Sequence, residues 1–519
     1  TFRISSREPS TRGFILRDNL FTKCNKGVVI NSFLAPRNGD DGGLKHDPII
    51  ENNTFEYVST PGNRPDNIED LIDETTYGFQ FHVKGDIPIV FDNNTFREFT
   101  TKLGGFWGNF VQKSADYEDI KLTFTNCYFE SCKQQEEVDG GAFRMIEERC
   151  NNGNIYLTFR ECHFNDNEVK GSGGALSLLS KKDIHIEGCE FKSNKANNNG
   201  NGGAIFVSDI QGEFTIQGCT FEDNCANEGQ AIYYGSTSST LKQFILTETN
   251  FNNNVNTKEG DALNIEDPQY TIVLEIGYLQ VSNVQFTTSG ESNKISYPIL
   301  FKDKETIENI EFIKVTSTYS SILYIAEPQG DSSSSITFDN AIFIDCGCTG
   351  YYVIEIERRN IELSRVSINF TDITKGSGGI KINNCCKIEI QDSIFSQTNS
   401  PTGTIYYTPG TTSTTPDKDY LTINNCFFEK CSGGCFYINN QPESNEAINI
   451  YESTFIECRA KSNAIKFTTI GCNSKSQSIQ LTVEGCTFKN NYAGDIYQGT
   501  NYYLIQMETD NHQTAPTAI

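Results

Sequence analysis

Tryptophan, methionine and proline are scarce in this chain: 519 residues include one Trp, two Met and 14 Pro. Helical globular enzymes lean on Ala, Leu and Met, and that balance is missing. Basic residues are also short, with 42 Lys and Arg against 67 Asp and Glu and a formal net charge of −25. This argues against nucleic acid or an anionic membrane surface as partner, because both need a basic face. Hydrophobic residues reach only 37% and the mean hydropathy is −0.44. No run approaches the ~18 apolar residues of a membrane-spanning helix, so no span is expected. The chain starts at Thr1 without an apolar leader, and a signal peptide is expected to be removed or to lie outside it. The five His, at 46, 82, 163, 185 and 512, enter no H-E-x-x-H or Ser-His-Asp pattern.

What is abundant points the other way. There are 36 Phe, 23 Tyr and 42 Gly, a composition of many short strands broken by turns. Length alone would suggest roughly three domains, but an internal repeat overrides that reading. Cys127-Tyr-Phe129-Glu-Ser-Cys132, Cys162-His-Phe164-Asn-Asp-Asn167, Cys189-Glu-Phe191-Lys-Ser-Asn194 and Cys219-Thr-Phe221-Glu-Asp-Asn224 align. Each is followed by a glycine-led apolar segment: Gly140-Gly141-Ala142-Phe143, Gly173-Gly174-Ala175-Leu176, Gly202-Gly203-Ala204-Ile205 and Gly229-Gln230-Ala231-Ile232. The unit returns as Cys426-Phe-Phe428-Glu-Lys-Cys431 with Gly433-Gly434-Cys435-Phe436, and as Cys486-Thr-Phe488-Lys-Asn-Asn491. With Phe as anchor the series runs through Phe21, Phe55, Phe96, Phe129, Phe164, Phe191, Phe221, Phe251, Phe286, Phe312, Phe343, Phe370, Phe395, Phe428, Phe455 and Phe488, a mean spacing of about 31 residues.

Within a unit the period is two, as in Ile184-His-Ile186-Glu-Gly-Cys189-Glu-Phe191-Lys. Alternation marks strands with one buried and one wet face. Each unit then holds three short strands and no crossover helix, so the chain must coil and pair each strand with its counterpart in parallel. The expected fold is all-β, a right-handed parallel β-helix of about sixteen turns. A β-propeller would need four strands and a longer repeat per blade. The expected layout is a single β-helix over 1–505, with insertions at about 57–86 and 401–420 and a flexible tail over 506–519.

The anchors Phe129, Phe164, Phe191, Phe221 and Phe251 are expected to stack inward. Three residues beyond the anchor stands Asn (Asn167, Asn194, Asn224, Asn254, Asn491) or Cys (Cys24, Cys132, Cys346, Cys431, Cys458), and two before it stands Cys127, Cys162, Cys189, Cys219, Cys426 or Cys486. The Asn positions suit an amide ladder at the ~4.8 Å strand spacing. Eleven of 18 cysteines therefore fall in two columns. That distribution argues against a metal site, which needs ligands from different directions. Parallel Cβ vectors also hold neighbours too far apart for a disulfide. The columns read as packed thiols that stay reduced. The off-column Cys225, Cys348, Cys385, Cys386 and Cys472 are better disulfide candidates.

The paired signatures F-x-x-N and G-G-A-[I/L/V], here Phe164-x-x-Asn167 with Gly173-Gly174-Ala175-Leu176 and Phe191-x-x-Asn194 with Gly202-Gly203-Ala204-Ile205, resemble the repeats of the chlamydial polymorphic outer membrane proteins and of some protist surface proteins. The match is sharpest over about 120–265 and 420–500. The Asn-, Ile- and Lys-rich composition is similar to that of a protist surface homologue. The resemblance implies a pectin lyase-like, surface-displayed β-helix, often an adhesin. The expected function is therefore a non-catalytic extracellular or cell-surface protein, an adhesin or a structural subunit of an assembly or filament. Its expected partners are other subunits, itself, or cell-surface glycans, and no cofactor is expected.

The alternative is a polysaccharide-active lyase or glycosidase on the same fold. Such enzymes need converging carboxylates. The positions flanking the anchors run Tyr128, His163, Glu190, Thr220, Asn250 and Glu130, Asn165, Lys192, Glu222, Asn252, with no stacked carboxylate pair. The acidic segment 66–74 suits a short amphipathic helix and lacks a calcium-loop pattern. Asn52, Asn93 and Asn369 open N-x-[ST] sequons, and 408–416 reads as a Thr-rich loop suited to O-glycosylation. Finally, Ile313, Ile342, Ile344, Ile394, Phe427 and Ile456 replace polar residues beside the anchors. They are expected to form an apolar strip that serves as an interface.

Overall fold

The computed structural model describes residues 2–5, 15–23, 28–33, 49–56, 79–84, 88–101, 106–110, 120–134, 139–146, 155–179, 183–197, 199–208, 210, 212–235, 243–254, 269–274, 279–282, 284–287, 296–301, 306–318, 320–325, 335–348, 352–357, 360–371, 377–385, 387–400, 403–409, 420–440, 447–460, 465–469, 480–493 and 505–509. Among the described residues there is no helix, and each strand pairs in parallel with its counterpart in the next coil. The fold is a right-handed parallel β-helix. The chain divides into two compact units, Thr1–Ile276 with Val284–Ser296, and Gly277–Asn283 with Tyr297–Ile519.

In the first unit a coil begins with a lead strand such as Ile155–Arg160, turns a corner into an anchor strand, His163–Asn165, and turns again into a two-residue strand, Glu168–Val169. A glycine-led strand, Leu176–Leu179, completes it. The two-residue strand is a fourth element beyond the three expected. Both corners are single left-handed residues: Glu161 (φ 52°) and Asp166 (φ 54°) here, Gly188 (φ 63°) and Ser193 (φ 55°) in the next coil. One left-handed residue bends the chain without breaking the rung-to-rung ladder. Its amide still bonds the next coil, as in Glu161 N–H to Glu187 O at 2.8 Å. The residue after each corner turns inward, which is why the two columns of Cys and Asn lie where they do.

Along the anchor column Phe129, Phe164, Phe191, Phe221 and Phe251 are buried and stack at 4.7–4.8 Å. Each buried ring contributes roughly 1.5–3 kcal/mol from transfer, and stacking adds to it. Lead-strand rings close the core edge-on, as where Phe159 meets Phe164 at 5.4 Å and 80°. The glycine-led sheet of this unit holds nine strands, Phe2–Ser5, Val28–Phe33, Phe79–Lys84, Phe106–Phe110, Phe143–Ile146, Leu176–Leu179, Ile205–Ser208, Ile232–Gly235 and Gln269–Leu274. The unit therefore has about nine turns.

The anchor series is not one run of sixteen. Phe286 pairs with Phe251 in the first unit, whereas Phe312 pairs with Val281 in the second. Phe370 is not an anchor either. Ile368 takes that place between Phe343 and Phe395, and Phe370 is buried two residues later. Any apolar side chain of suitable volume fills an inward position, so a search for Phe alone misplaces the coil. Strands also enter segments expected to be insertions or tail. Phe79–Lys84 pairs with Val28–Phe33, Ile405–Pro409 with Gly378–Cys385, and Ile505–Thr509 with Ile465–Thr469. The acidic segment 66–74, the Thr-rich loop beyond Pro409 and residues 510–519 lie outside the described residues.

Candidate functional site

The amide column of the first unit is continuous. Asn167, Asn194 and Asn224 each donate from Nδ2 to Oδ1 of the next Asn, at 2.9, 3.0 and 2.9 Å, the last to Asn254. Each also donates to the anchor carbonyl one coil back, Phe129, Phe164 or Phe191. The thiol column is equally inward. Cys127, Cys162, Cys189 and Cys219 are buried, and the Cys189 and Cys219 sulfurs accept the amides of Cys162 and Cys189 at 3.4 Å. Burial pushes the Cys127 and Cys189 thiols well above their ordinary range, and neighbouring thiols add to it. Burial, with a smaller push from the carboxylates of Glu130, Asp345 and Asp392, raises Cys132, Cys346 and Cys426 to about 12. The expectation of disulfides off the columns is corrected for three residues: Cys225, Cys348 and Cys385 carry thiols, not disulfides. They too are buried in the coil. Cys386 and Cys472 lie outside the described residues.

Outward charges in the first unit pair from rung to rung. Arg160 meets Glu187 at 2.9 Å, His163 meets Glu190 at 3.0 Å and Lys192 meets Glu222 at 2.9 Å, while Tyr128 stacks on His163 at 4.8 Å. The sequon residues Asn52 and Asn93 are exposed corner residues (φ 54° and 51°) whose side chains hydrogen-bond to each other at 2.8 Å. Asn369 is half-buried on a strand. The expected apolar strip is interrupted. Ile313 aligns with Ile344 and Ile394 with Phe427, but Ser367 separates Ile342 from Ile394, and Asn369, Ser396 and Glu429 separate Ile344 from Ile456. Only Ile394, at 46% exposure, is strongly exposed.

The group that does converge lies on the outward face of the second unit's glycine-led sheet. Tyr352–Glu357 and Gly378–Cys385 pair so that Glu355 faces Lys381 and Glu357 faces Asn383. Glu355 is 7% exposed. Its Oε1 accepts Lys381 Nζ at 2.6 Å and Asn383 Nδ2 at 3.1 Å, and its Oε2 accepts Ser321 Oγ at 3.5 Å. A carboxylate so covered stands only because it is paired and hydrogen-bonded. Beside it Tyr324 Oη donates to Glu357 Oε2 at 2.7 Å and stacks on Tyr297 at 4.2 Å. Lys381 continues to half-buried Tyr406 and Tyr437, whose rings stack at 5.1 Å. The face thus presents carboxylate, ammonium, amide and phenol groups at strand spacing. Sequence reading missed it because only positions beside the anchors were searched for carboxylates. The signal was the alternation Val353-Ile354-Glu355-Ile356-Glu357 followed one coil on by Ile380-Lys381-Ile382-Asn383.

No family model and no curated protein matches the chain. Among solved structures it is similar to a PL6 family alginate lyase, AlyGC, at 9% identity over 93% of this chain and 98% of that one, with a TM-score of 0.19. A likeness at that level carries no argument about site or substrate.

Proposed function

We propose that the chain is a non-catalytic β-helix of an extracellular or cell-surface assembly, related to the F-x-x-N and G-G-A repeat proteins, and that it acts as an adhesin whose contact face is the polar, tyrosine-rich ladder around Glu355. The observation that supports this reading is the ladder from Tyr324 through Glu355 and Lys381 to Tyr406 and Tyr437, with Glu357 and Asn383 beside it. Donors and acceptors repeat there at the ~4.8 Å strand spacing, which suits a linear, hydroxyl-rich partner such as a cell-surface glycan. Specificity in such contacts comes from a few fixed polar groups, and the ion pair and hydrogen bonds around Glu355 fix several of them.

A second reading is a polysaccharide-active enzyme. It is favoured by Glu355 and Glu357 sharing one face with Lys381 and Tyr324, an acid–base grouping. Lys381 and Tyr324 are each held to a carboxylate at 2.6 and 2.7 Å, which favours binding over proton transfer. One experiment separates the two. The protein is incubated with immobilised neutral and uronic-acid polysaccharides, measuring both retention and the release of reducing ends or unsaturated products. Retention without product, weakened by Tyr406→Ala with Tyr437→Ala, is expected. Product release would move the assignment to the enzyme, and no retention on any polymer would remove the glycan-binding role.

A further inference from the structure

We propose that Cys431, Cys435 and Cys458 form a buried three-thiolate site in the second unit for a thiophilic d10 cation, Zn2+ or Cu+. The three Sγ atoms lie within 4.8 Å of one another, and all three residues are 0% exposed. Metal–sulfur bonds of ~2.3 Å place sulfurs of one coordination sphere about 3.8–4.0 Å apart, so closure around an ion requires sulfur shifts of less than about 1 Å. Soft thiolate sets select such cations over harder ones.

The ligands come from two directions. Cys431 and Cys458 belong to the column three residues beyond the anchors Phe428 and Phe455, which stack at 5.0 Å in adjacent coils. Cys435 comes from the glycine-led segment, where Gly433-Gly434-Cys435 stands in place of Gly-Gly-Ala. The objection that one column cannot surround an ion therefore fails at this coil.

The surroundings also place hydroxyl groups beside the sulfurs. One coil earlier the same two positions hold Thr398 and Thr404, both buried, with their Oγ1 atoms 2.6 Å apart. The Thr398 and Thr404 hydroxyls lie within hydrogen-bonding reach of the Cys431 sulfur, and Thr404 Oγ1 also donates to the Gly434 carbonyl beside Cys435 at 3.2 Å. On the far side the Cys458 amide is fixed by Asn491 Oδ1 at 2.8 Å. Because the site is sealed, the ion enters while the coil closes, and binding releases thiol protons.

The test uses the full chain, folded in reducing buffer with Zn2+ or, anaerobically, with Cu+, then stripped of loose metal with a chelator and assayed for bound metal. One of the two ions is expected to be retained stoichiometrically. An ultraviolet thiolate-to-copper band identifies the Cu+ arm, and Co2+ substitution with its visible spectrum identifies the Zn2+ arm. Cys435→Ala restores the residue used in other coils, so it is expected to fold and to lose the ion. Thr398→Val is expected to weaken binding roughly 10–100-fold, as for an outer-shell partner, and Cys346→Ala is expected to leave it unchanged. Retention of neither ion by the parent overturns the site, as does equal retention by Cys435→Ala. Peptide mapping that finds Cys435 bridged to Cys431 or Cys458 in the unreduced parent overturns it too, showing a disulfide instead.

Discussion

At the scale of the residue, the inward polar column is where this chain takes its greatest risk. Four buried amides, Asn167, Asn194, Asn224 and Asn254, would each be costly unless satisfied. In Asn194, Nδ2 donates to Phe164 O at 2.7 Å and to Asn224 Oδ1 at 3.0 Å, while Oδ1 accepts both the backbone N–H and Nδ2 of Asn167, at 3.2 and 2.9 Å. Asn194→Ala would remove the side-chain partner of the Phe164 carbonyl and of the Asn167 backbone N–H, and one of the two bonds made by Asn167 Nδ2, which keeps the Phe129 carbonyl. An orphaned buried group costs about 1–3 kcal/mol, so a loss of about 2–4 kcal/mol is expected in urea unfolding. A loss below ~0.5 kcal/mol, the scale of an ordinary surface change, would show that water or a shifted neighbour replaces the ladder. The ladder was legible in the sequence because period and residue type coincided. The Cys431–Cys435–Cys458 grouping was not, since Cys435 looked like an ordinary variant of a small residue until the coil brought it against the column.

At the scale of the element, the glycine pair does two different jobs. Gly173 adopts φ 75° at the bend, a conformation side chains disfavour. Gly174 has no such φ, but a Cβ there would collide with the Gly203 carbonyl and crowd the Lys195 amide at 2.5 Å. Coil stacks on coil at that point, so the backbone itself is the obstacle and no rotamer relieves it. Gly174→Ala is expected to cost about 3 kcal/mol or more, at the upper end of overpacking effects. The comparison is Gly188→Ala, where φ is 63° but the nearest atom, in the Glu161 side chain, is 3.5 Å away. That change should cost only the ~1–2 kcal/mol of left-handed strain. Equal losses in thermal unfolding would mean that close approach is not what selects the second glycine. The repeat made the strands, their parallel pairing and the glycine bends readable in advance. It did not make the two-residue strand readable, because Glu168–Val169 is too short to show a period. Nor did it reveal the shift at Ile368, where an aliphatic residue fills a place that a search for Phe leaves empty.

At the scale of the whole molecule, the question is how a chain with a net charge of −25 holds its coils together. Local attraction exists: Arg160–Glu187 and Lys192–Glu222 bind adjacent rungs, and Arg365 keeps the Asp339 carboxyl below the usual carboxylate range through a hydrogen bond that outweighs its slight desolvation. These pairs are largely exposed, with Arg160 and Arg365 side chains at 52% and 60%, and such pairs contribute at most ~1 kcal/mol each. The excess acidic charge repels over longer distances and opposes compaction. Salt weakens both, but unequally. Going from ~0.01 M to ~0.1 M shortens the screening length from ~30 Å to ~10 Å, which removes most repulsion between distant carboxylates and leaves contacts at 2.9 Å less affected. Stability should therefore rise with NaCl, by about 2–4 °C in Tm for each kcal/mol regained by a unit of this size. Sodium chloride is the right probe, because sulfate would strengthen apolar burial on its own account. Differential scanning calorimetry across that range decides the matter. A falling Tm would mean that the rung-to-rung ion pairs outweigh the net charge and hold the coils electrostatically. A rising Tm would mean that the inward Phe, Asn and Cys columns hold the coils against their own surface.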